Sequence, residues 1–222
     1  MEIERQFIQG NGFKIPSIIL KPANSIGAAV IVHGYGGCKE EQLGLAWRAA
    51  EIGITTCVID LRGHGEHELP LDENIPLDIE AAIKYCHDFG KVAAIGHSLG
   101  GRLSLFSDAD YIIAISPALR KTFSSQTQET IKALRGYRVR EIDPNVNWDI
   151  LNKLPQWEYN GGDNVRIIFG SRDVPDIVAA CSGLKEKGAP VIQIDGALHN
   201  DIFLLEETFD KVINQLKEWF SQ

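Results

Sequence analysis

Short, continuous runs of apolar residues alternate along the chain with segments in which apolar residues recur at helical spacing. A run without polar alternation is typical of a strand covered on both faces, as in a parallel sheet. The predicted strands span 28–32, 55–60, 92–95, 111–115, 165–169 and 191–194. The predicted helices span 39–52, 78–89, 98–106, 176–187 and 201–220. This alternation predicts an α/β fold with a mostly parallel central sheet and helices on both faces.

The N-terminal segment follows a different pattern. Two β-like stretches, 3–8 and 13–20, flank Gly10-Asn11-Gly12, which is a strong turn signal. We therefore predict an antiparallel hairpin at the start of the chain.

Two helices have a predicted core face. In 39–52 this face consists of Leu43, Trp47 and Ala50, with Trp47 taken as a core residue in preference to a ligand contact. In the last helical segment the buried candidates are Phe203, Phe209, Ile213, Leu216 and Phe220.

Residues 120–164 interrupt the alternation. The segment begins with polar residues, continues with helical pieces at 129–134 and 146–154, and contains scattered aromatics. We predict a small lid inserted into a single domain, 1–222, and folded over the strand ends. An ordinary pair of surface helices is the alternative. Within residues 120–164, Trp148 is the candidate for a residue that lines a pocket.

A G-x-S-x-G motif, Gly96-His97-Ser98-Leu99-Gly100, lies where a buried strand ends and a helix begins. The glycines let strand and helix backbones approach, and the strained turn exposes the serine hydroxyl, so the pattern predicts a nucleophile elbow. The alternative is a tight turn whose serine is merely small and polar. His97 is too close in sequence to reach Ser98 as a base, so we interpret it as a structural or pocket-wall histidine.

A serine nucleophile needs a base, and the base needs an orienting group. Asp173 and His199 both follow predicted strands, in the chain order serine, aspartate, histidine. Asp173 could instead cap the helix that follows it, and His199 could be an ordinary loop histidine. The other candidate acids are Asp163, Asp176 and Asp195.

The chain resembles the α/β-hydrolase family over nearly its whole length. The matching segments are His33-Gly34-Tyr35-Gly36-Gly37, Asp60-x-Arg62-Gly63-His64-Gly65, the Ser98 motif, Gly170-x-x-Asp173 and Gly196-x-x-His199. The sequence is most similar to small serine esterases, acylglycerol lipases and dienelactone-hydrolase-like members.

This resemblance implies that Ser98 is the nucleophile, His199 the base and then the acid, and Asp173 the orienting group. It also implies an oxyanion hole formed by the backbone N–H groups of Tyr35 and Leu99. Leu99 opens a helix, where amides are unpaired, and glycines beside Tyr35 free its backbone to turn toward the substrate.

Some positions depart from the family pattern. The loop after the fourth strand continues His64-Gly65-Glu66-His67, proline comes early at Pro175, and the base follows Ala197-Leu198. His33 is interpreted as a loop-forming residue more than a catalytic one, and it remains a pocket candidate. The spacing of His64, His67 and the neighbouring glutamates is not that of a hydrolase metal motif, so we expect no metal and no cofactor.

Composition narrows the partners. The 222 residues are 44% hydrophobic and carry a formal net charge of −8 without a Lys/Arg-rich run, which argues against nucleic acid or an anionic membrane surface. No apolar stretch is long enough to span a bilayer, and the N-terminus lacks the pattern of a secretory signal. The four scattered cysteines then predict free thiols in the cytoplasm.

Together these features predict a serine hydrolase that cleaves carboxylic esters of small or medium acyl groups, with a small-molecule ester as its partner. The same triad could act on thioesters or peptides, or transfer acyl groups, because fold and triad are shared across these reactions. A non-catalytic binding protein with this fold is the remaining alternative. The sequence leaves the oligomeric state open.

Overall fold

An eight-stranded sheet forms the centre of the computed structural model, which describes residues 1–221. The strand order is β1-β2-β4-β3-β5-β6-β7-β8; β1 is antiparallel to β2 and β2 to β4, and all later neighbours are parallel. The strands are β1 (Glu2–Gln9), β2 (Lys14–Lys21), β3 (Gly27–Val32), β4 (Ile54–Ile59), β5 (Val92–His97), β6 (Tyr111–Ile115), β7 (Val165–Gly170) and β8 (Val191–Ile194). The predicted mixed sheet with its N-terminal hairpin is confirmed.

Side chains of the central strands are buried on both faces. In β3, Ala28, Val30 and Val32 belong to one apolar cluster, whereas Ala29 and Ile31 belong to the cluster on the opposite face. Because successive residues of a strand point to opposite faces, a fully apolar strand needs a helical layer on each side.

The helices supply those layers. They are α1 (Leu43–Glu51), α2 (Pro76–Cys86), α3 (Leu99–Ser104), α4 (Ser125–Arg135), α5 (Val146–Lys153), α6 (Pro175–Glu186) and α7 (Glu206–Phe220). Short 3₁₀ turns, Lys39–Gln42 and Ile202–Leu204, stand before α1 and α7, so both helices begin four or more residues later than predicted. None of the helices within residues 1–221 has the length and apolar character needed to cross a bilayer.

The predicted core face of α1 is confirmed at Ala50 and wrong at Trp47, and Leu43 is only partly buried. Trp47 is 44% exposed, and its Nε1 donates to Glu51 Oε1 at 2.9 Å on the helix surface. The buried positions are Leu45, Ala46, Ala49 and Ala50. A small alanine-rich face lets the helix approach the sheet closely, and this places the large indole outside.

In the terminal helix α7, the buried face also differs from the predicted one. Phe209 and Leu216 are buried as predicted, but Ile213 and Phe220 are only partly buried. Val212 and Trp219, which were not predicted, are buried in the core.

The insertion 120–164 contributes α4 and α5. Helix α4 begins earlier than predicted because the Ser124 side chain accepts the N–H of Thr127, which caps the helix at its N-terminus. The segment between α4 and α5 is tied to the loop after β4: Arg140 N donates to Gly63 O at 2.8 Å, and Leu71 N donates to Arg140 O at 2.7 Å. These bonds fix α4 and α5 above the carboxyl ends of the parallel strands.

Candidate active site

Ser98 lies in the turn between β5 and α3 with φ 53° and ψ −111°. Residues other than glycine rarely adopt this backbone conformation. The turn is possible because the residues two positions before and two positions after Ser98 are glycines. A Cβ at Gly96 would lie 2.3 Å from the Gly100 backbone, and one at Gly100 would lie 2.5 Å from the His33 carbonyl oxygen. The close contact of strand and helix leaves Ser98 partly exposed at the end of β5.

The structure brings Ser98, His199 and Asp173 together from three separate loops. His199 Nε2 lies 3.0 Å from Ser98 Oγ, and His199 Nδ1 lies 2.7 Å from Asp173 Oδ1. The imidazole is partly exposed, and the aspartate side chain is fully buried. Proton donation from Ser98 to Nε2 and from Nδ1 to Asp173 satisfies both nitrogens of a neutral imidazole.

Asp173, and none of the other candidate acids, faces His199. Asp195 Oδ1 accepts the Ser171 hydroxyl at 2.9 Å, and Asp176 lies 3.4 Å from Arg120. Asp173 is also not the cap of α6, because Val174 holds that position and has no side-chain cap bond.

Ser116 holds the second oxygen of Asp173. Its hydroxyl donates to Asp173 Oδ2, and the residue is fully buried with φ 46°. The Ser116 N–H is fixed by the Ile168 carbonyl at 2.7 Å. Sequence reasoning missed this residue; its one signal was a serine directly after β6, at the sheet edge where the other site residues also lie.

His97 fastens the loop that carries His199. Its Nε2 donates to the His199 carbonyl oxygen at 2.9 Å, and its ring packs 4.5 Å from the Phe203 ring. Burial, reinforced by the neighbouring His199, holds the pKa of His97 well below its usual value, so the ring is neutral at pH 7. His97 is also one of the residues that line the cavity beside Ser98.

The backbone N–H groups of Tyr35 and Leu99 have no hydrogen-bonding partner within residues 1–221. The loop that carries Tyr35 packs directly against the elbow, since a Cβ at Gly34 would lie 3.0 Å from Ser98 Cβ. Gly36 takes φ 70°, and Gly37 N donates to Gly34 O at 3.0 Å to close the turn. Both residues line the cavity that contains Ser98.

His33 is not a pocket residue, which corrects that part of the prediction. Its ring lies behind the loop, where Nδ1 donates to Gly34 O at 2.8 Å and Nε2 accepts the Leu61 N–H at 3.1 Å. Burial lowers its pKa and keeps the ring neutral, as these two bonds require. His33 therefore joins the Tyr35 loop to the loop after β4.

A buried ion pair anchors the same two loops, and sequence reasoning missed it. Lys39 Nζ lies 2.6 Å from Asp60 Oδ2, and the Lys39 N–H donates to Asp60 Oδ1 at 2.8 Å. Burial alone would lower the pKa of Lys39, but the hydrogen bonds to Asp60 and Glu66 raise it overall. The aspartate of the Asp-x-Arg-Gly-His segment was the available signal.

A cavity lies between Ser98 and the insertion; its enclosed part measures about 120 Å³, and the empty space including solvent at the open mouth measures about 900 Å³. Its wall is mostly apolar and includes the pocket candidate Trp148. The insertion contributes Phe123, Thr130, Ile131, Leu134, Arg135, Asn147, Trp148 and Leu151.

Within residues 1–221 no cluster of three or more histidine, cysteine or carboxylate side chains could hold a metal ion. His64 is enclosed by protein, where Nδ1 donates to Arg62 O at 2.9 Å.

The model of the alpha/beta hydrolase family matches residues 29–192. This match covers well over half of the 222 residues, so the protein belongs to the alpha/beta hydrolase family.

Solved structures share this fold over nearly the whole chain. Alpha/beta hydrolase GrgF from Penicillium sp. sh18 has a TM-score of 0.76 over 100% of both chains, at 12% identity. Est1E from Butyrivibrio proteoclasticus has a TM-score of 0.72 at 18% identity, over 98% of this chain and 99% of that one. An esterase from Pyrobaculum calidifontis has a TM-score of 0.71 at 21% identity, over 97% and 84% respectively.

A relative in sequence is ethanol acetyltransferase 1 from Eremothecium cymbalariae. It is 30% identical over 100 residues, which are 44% of this chain and 28% of that protein. The chain thus matches less than a third of that relative's length.

Proposed function

We propose that the protein is a serine hydrolase that cleaves carboxylic esters through an acyl-enzyme. The observation that carries the proposal is the continuous hydrogen-bonded series from Ser98 Oγ through His199 to Asp173, at the base of an apolar cavity. A serine hydroxyl alone is a poor nucleophile, and this series supplies the base and the orienting carboxylate that it needs.

In the acylation step Ser98 Oγ attacks the ester carbonyl carbon while His199 Nε2 takes the hydroxyl proton. Asp173 stays ionised and stabilises the imidazolium through Nδ1–H. The N–H groups of Tyr35 and Leu99 donate to the developing oxyanion, and each such donor contributes about 3 kcal/mol to the transition state.

The intermediate then collapses. The carbon–oxygen bond to the alcohol breaks, and His199 returns the proton to the departing oxygen. A water molecule attacks the acyl-enzyme by the same route, with His199 again as base, and releases the acid and Ser98.

The insertion acts as a lid in this proposal, since α4 and α5 form the wall opposite Ser98. The enclosed part of this cavity, about 120 Å³, lies below the range of about 300–1,000 Å³ that is typical of sites for drug-sized ligands. This size supports small or medium acyl groups as substrates.

Hydrolysis of p-nitrophenyl butyrate by Ser98→Ala tests the proposal. We expect kcat to fall by about 10⁴-fold or more, because nucleophile and base act as a unit. Ser182→Ala on α6 is the matched control and should keep wild-type kcat/KM. Substantial turnover by folded Ser98→Ala would refute the assignment.

The match to an ethanol acetyltransferase supports acyl transfer to an alcohol as a second candidate. The acyl-enzyme would be the same, with an alcohol oxygen in place of water as the attacking group. Adding ethanol to the assay and measuring ethyl butyrate against butyrate decides between the two fates.

A further inference from the structure

Asn147 lies on the inward face of α5, beside Ile150 and Leu151 in the buried stripe. It is only 4% exposed, and its carboxamide oxygen has no hydrogen-bonding partner within residues 1–221. Buried amides are normally hydrogen-bonded, because burial without a partner destabilises the fold. An apolar residue would suit this position better if α5 had only a packing role.

The same side chain lines the cavity that contains Ser98. The lining residues that follow it on α5, Trp148 and Leu151, are apolar, and the Phe123 ring lies 5.8 Å from the Trp148 ring. Asn147 is therefore a polar group set into an apolar wall, which is how ligand sites fix orientation and specificity.

We propose that the acyl group bound in this cavity carries a hydroxyl that hydrogen-bonds to the Asn147 carboxamide. This inference rests on the proposed esterase function and names its substrate class: apolar acyl esters with one hydroxyl away from the reacting carbonyl. A hydroxyl both donates and accepts, so it pairs with either end of the amide. An ionised group would lose far more hydration energy on entering an apolar cavity.

The hydroxyl also gives discrimination. A site that is built to hydrogen-bond a substrate hydroxyl rejects the analogue that lacks it, because the buried amide is then left unpaired. Asn147 is thus a specificity-determining residue of the candidate site.

Two matched ester pairs test the proposal with the hydroxyl at different distances from the ester carbonyl. They are methyl 4-hydroxyphenylacetate against methyl phenylacetate, and ethyl 6-hydroxyhexanoate against ethyl hexanoate. Wild-type kcat/KM should favour the hydroxylated member of at least one pair by about five- to tenfold. In Asn147→Leu that ratio should fall to one or below. If the Asn147→Leu variant does not fold, Asn147→Ala is measured in its place.

Asn152→Leu is the control, since Asn152 lies on the exposed face of α5 and should keep the wild-type ratio. The proposal is overturned if neither pair shows a preference, or if the preference survives the change at position 147. Calorimetric binding of the free acids to Ser98→Ala separates the two levels. If hydroxylated acids bind more tightly but no ester is hydrolysed, the esterase proposal is refuted and the hydroxyl site at Asn147 stands. If esters are hydrolysed without any preference for the hydroxyl, the esterase proposal stands and the hydroxyl site is refuted.

Discussion

Gly100 controls how closely α3 approaches β3, and alanine at this position should impair the site. The added Cβ would lie 2.5 Å from the His33 carbonyl oxygen and 2.7 Å from that of Val32. Both are backbone atoms of the sheet and its adjoining loop, so α3 itself must move.

The distances give the size of the effect. Ordinary contact begins near 3.4 Å, so the helix must retreat by about 0.9 Å. A displacement of about 1 Å at a catalytic group costs roughly 100-fold in rate. Overpacking destabilises by about 1–3 kcal/mol, and the helix preference of alanine over glycine offsets about 1 kcal/mol of it.

We therefore expect Gly100→Ala to lower kcat/KM about 100-fold and the free energy of unfolding by about 0–2 kcal/mol. Ester hydrolysis and urea unfolding measure the two effects. Gly183→Ala is the matched control: this glycine lies within α6, and a Cβ there would meet nothing within 4 Å. That variant should keep its activity and gain about 1 kcal/mol of stability.

A Gly100→Ala variant with wild-type activity and raised stability would refute this reasoning. It would mean that α3 has room beside His33, and that the position of Ser98 does not depend on the glycine contact.

Three further results should follow. Ser116→Ala removes the donor to Asp173 Oδ2 and should lower kcat/KM about tenfold or more, because a hydrogen bond to a charged group is worth about 1.5–3 kcal/mol. Lys39→Met leaves Asp60 buried without its partner and should lower the free energy of unfolding by about 3–5 kcal/mol. Burial lowers the pKa of His64 from 6.5 to about 3, so the unfolded chain binds a proton first as the pH falls. This histidine alone should cost about 2 kcal/mol of stability between pH 7 and pH 5.

Each of these results has a distinct contradiction. Unchanged kinetics of Ser116→Ala would show that Asp173 is positioned without the hydroxyl. A Lys39→Met variant as stable as wild type would show that the Asp60 carboxylate finds other compensation. For His64, urea unfolding of His64→Gln at both pH values should show a pH dependence weaker by about one bound proton, and an unchanged pH dependence would contradict the prediction.

The strands and the three residues that meet at the cavity were predictable, because each is marked locally. Continuous apolar runs identify buried strands, and the turn after β5 needs glycines that the sequence displays. Asp173 and His199 follow strand ends, and the carboxyl ends of parallel strands meet at one edge of the sheet.

Other features depend on contacts that no local pattern displays. Trp47 fits a helical face as well as Leu45 and Ala46 do, and only packing against the sheet decides between them. Ser116 acquires its contact to Asp173 from a positive φ and from the position of β7. The first half of α4 is polar and the helix has no buried residue; its apolar residues Ile131 and Leu134 line the cavity, so only the second half of the helix was predicted.

The most direct measurement is to label the protein with a fluorophosphonate and locate the adduct by intact mass and peptide sequencing. We predict a single adduct on Ser98 that is lost in His199→Ala, since only a serine activated by a neighbouring base reacts readily. A folded protein that forms no adduct on Ser98 would contradict the proposed chemistry and favour a hydrolase-fold binding protein instead.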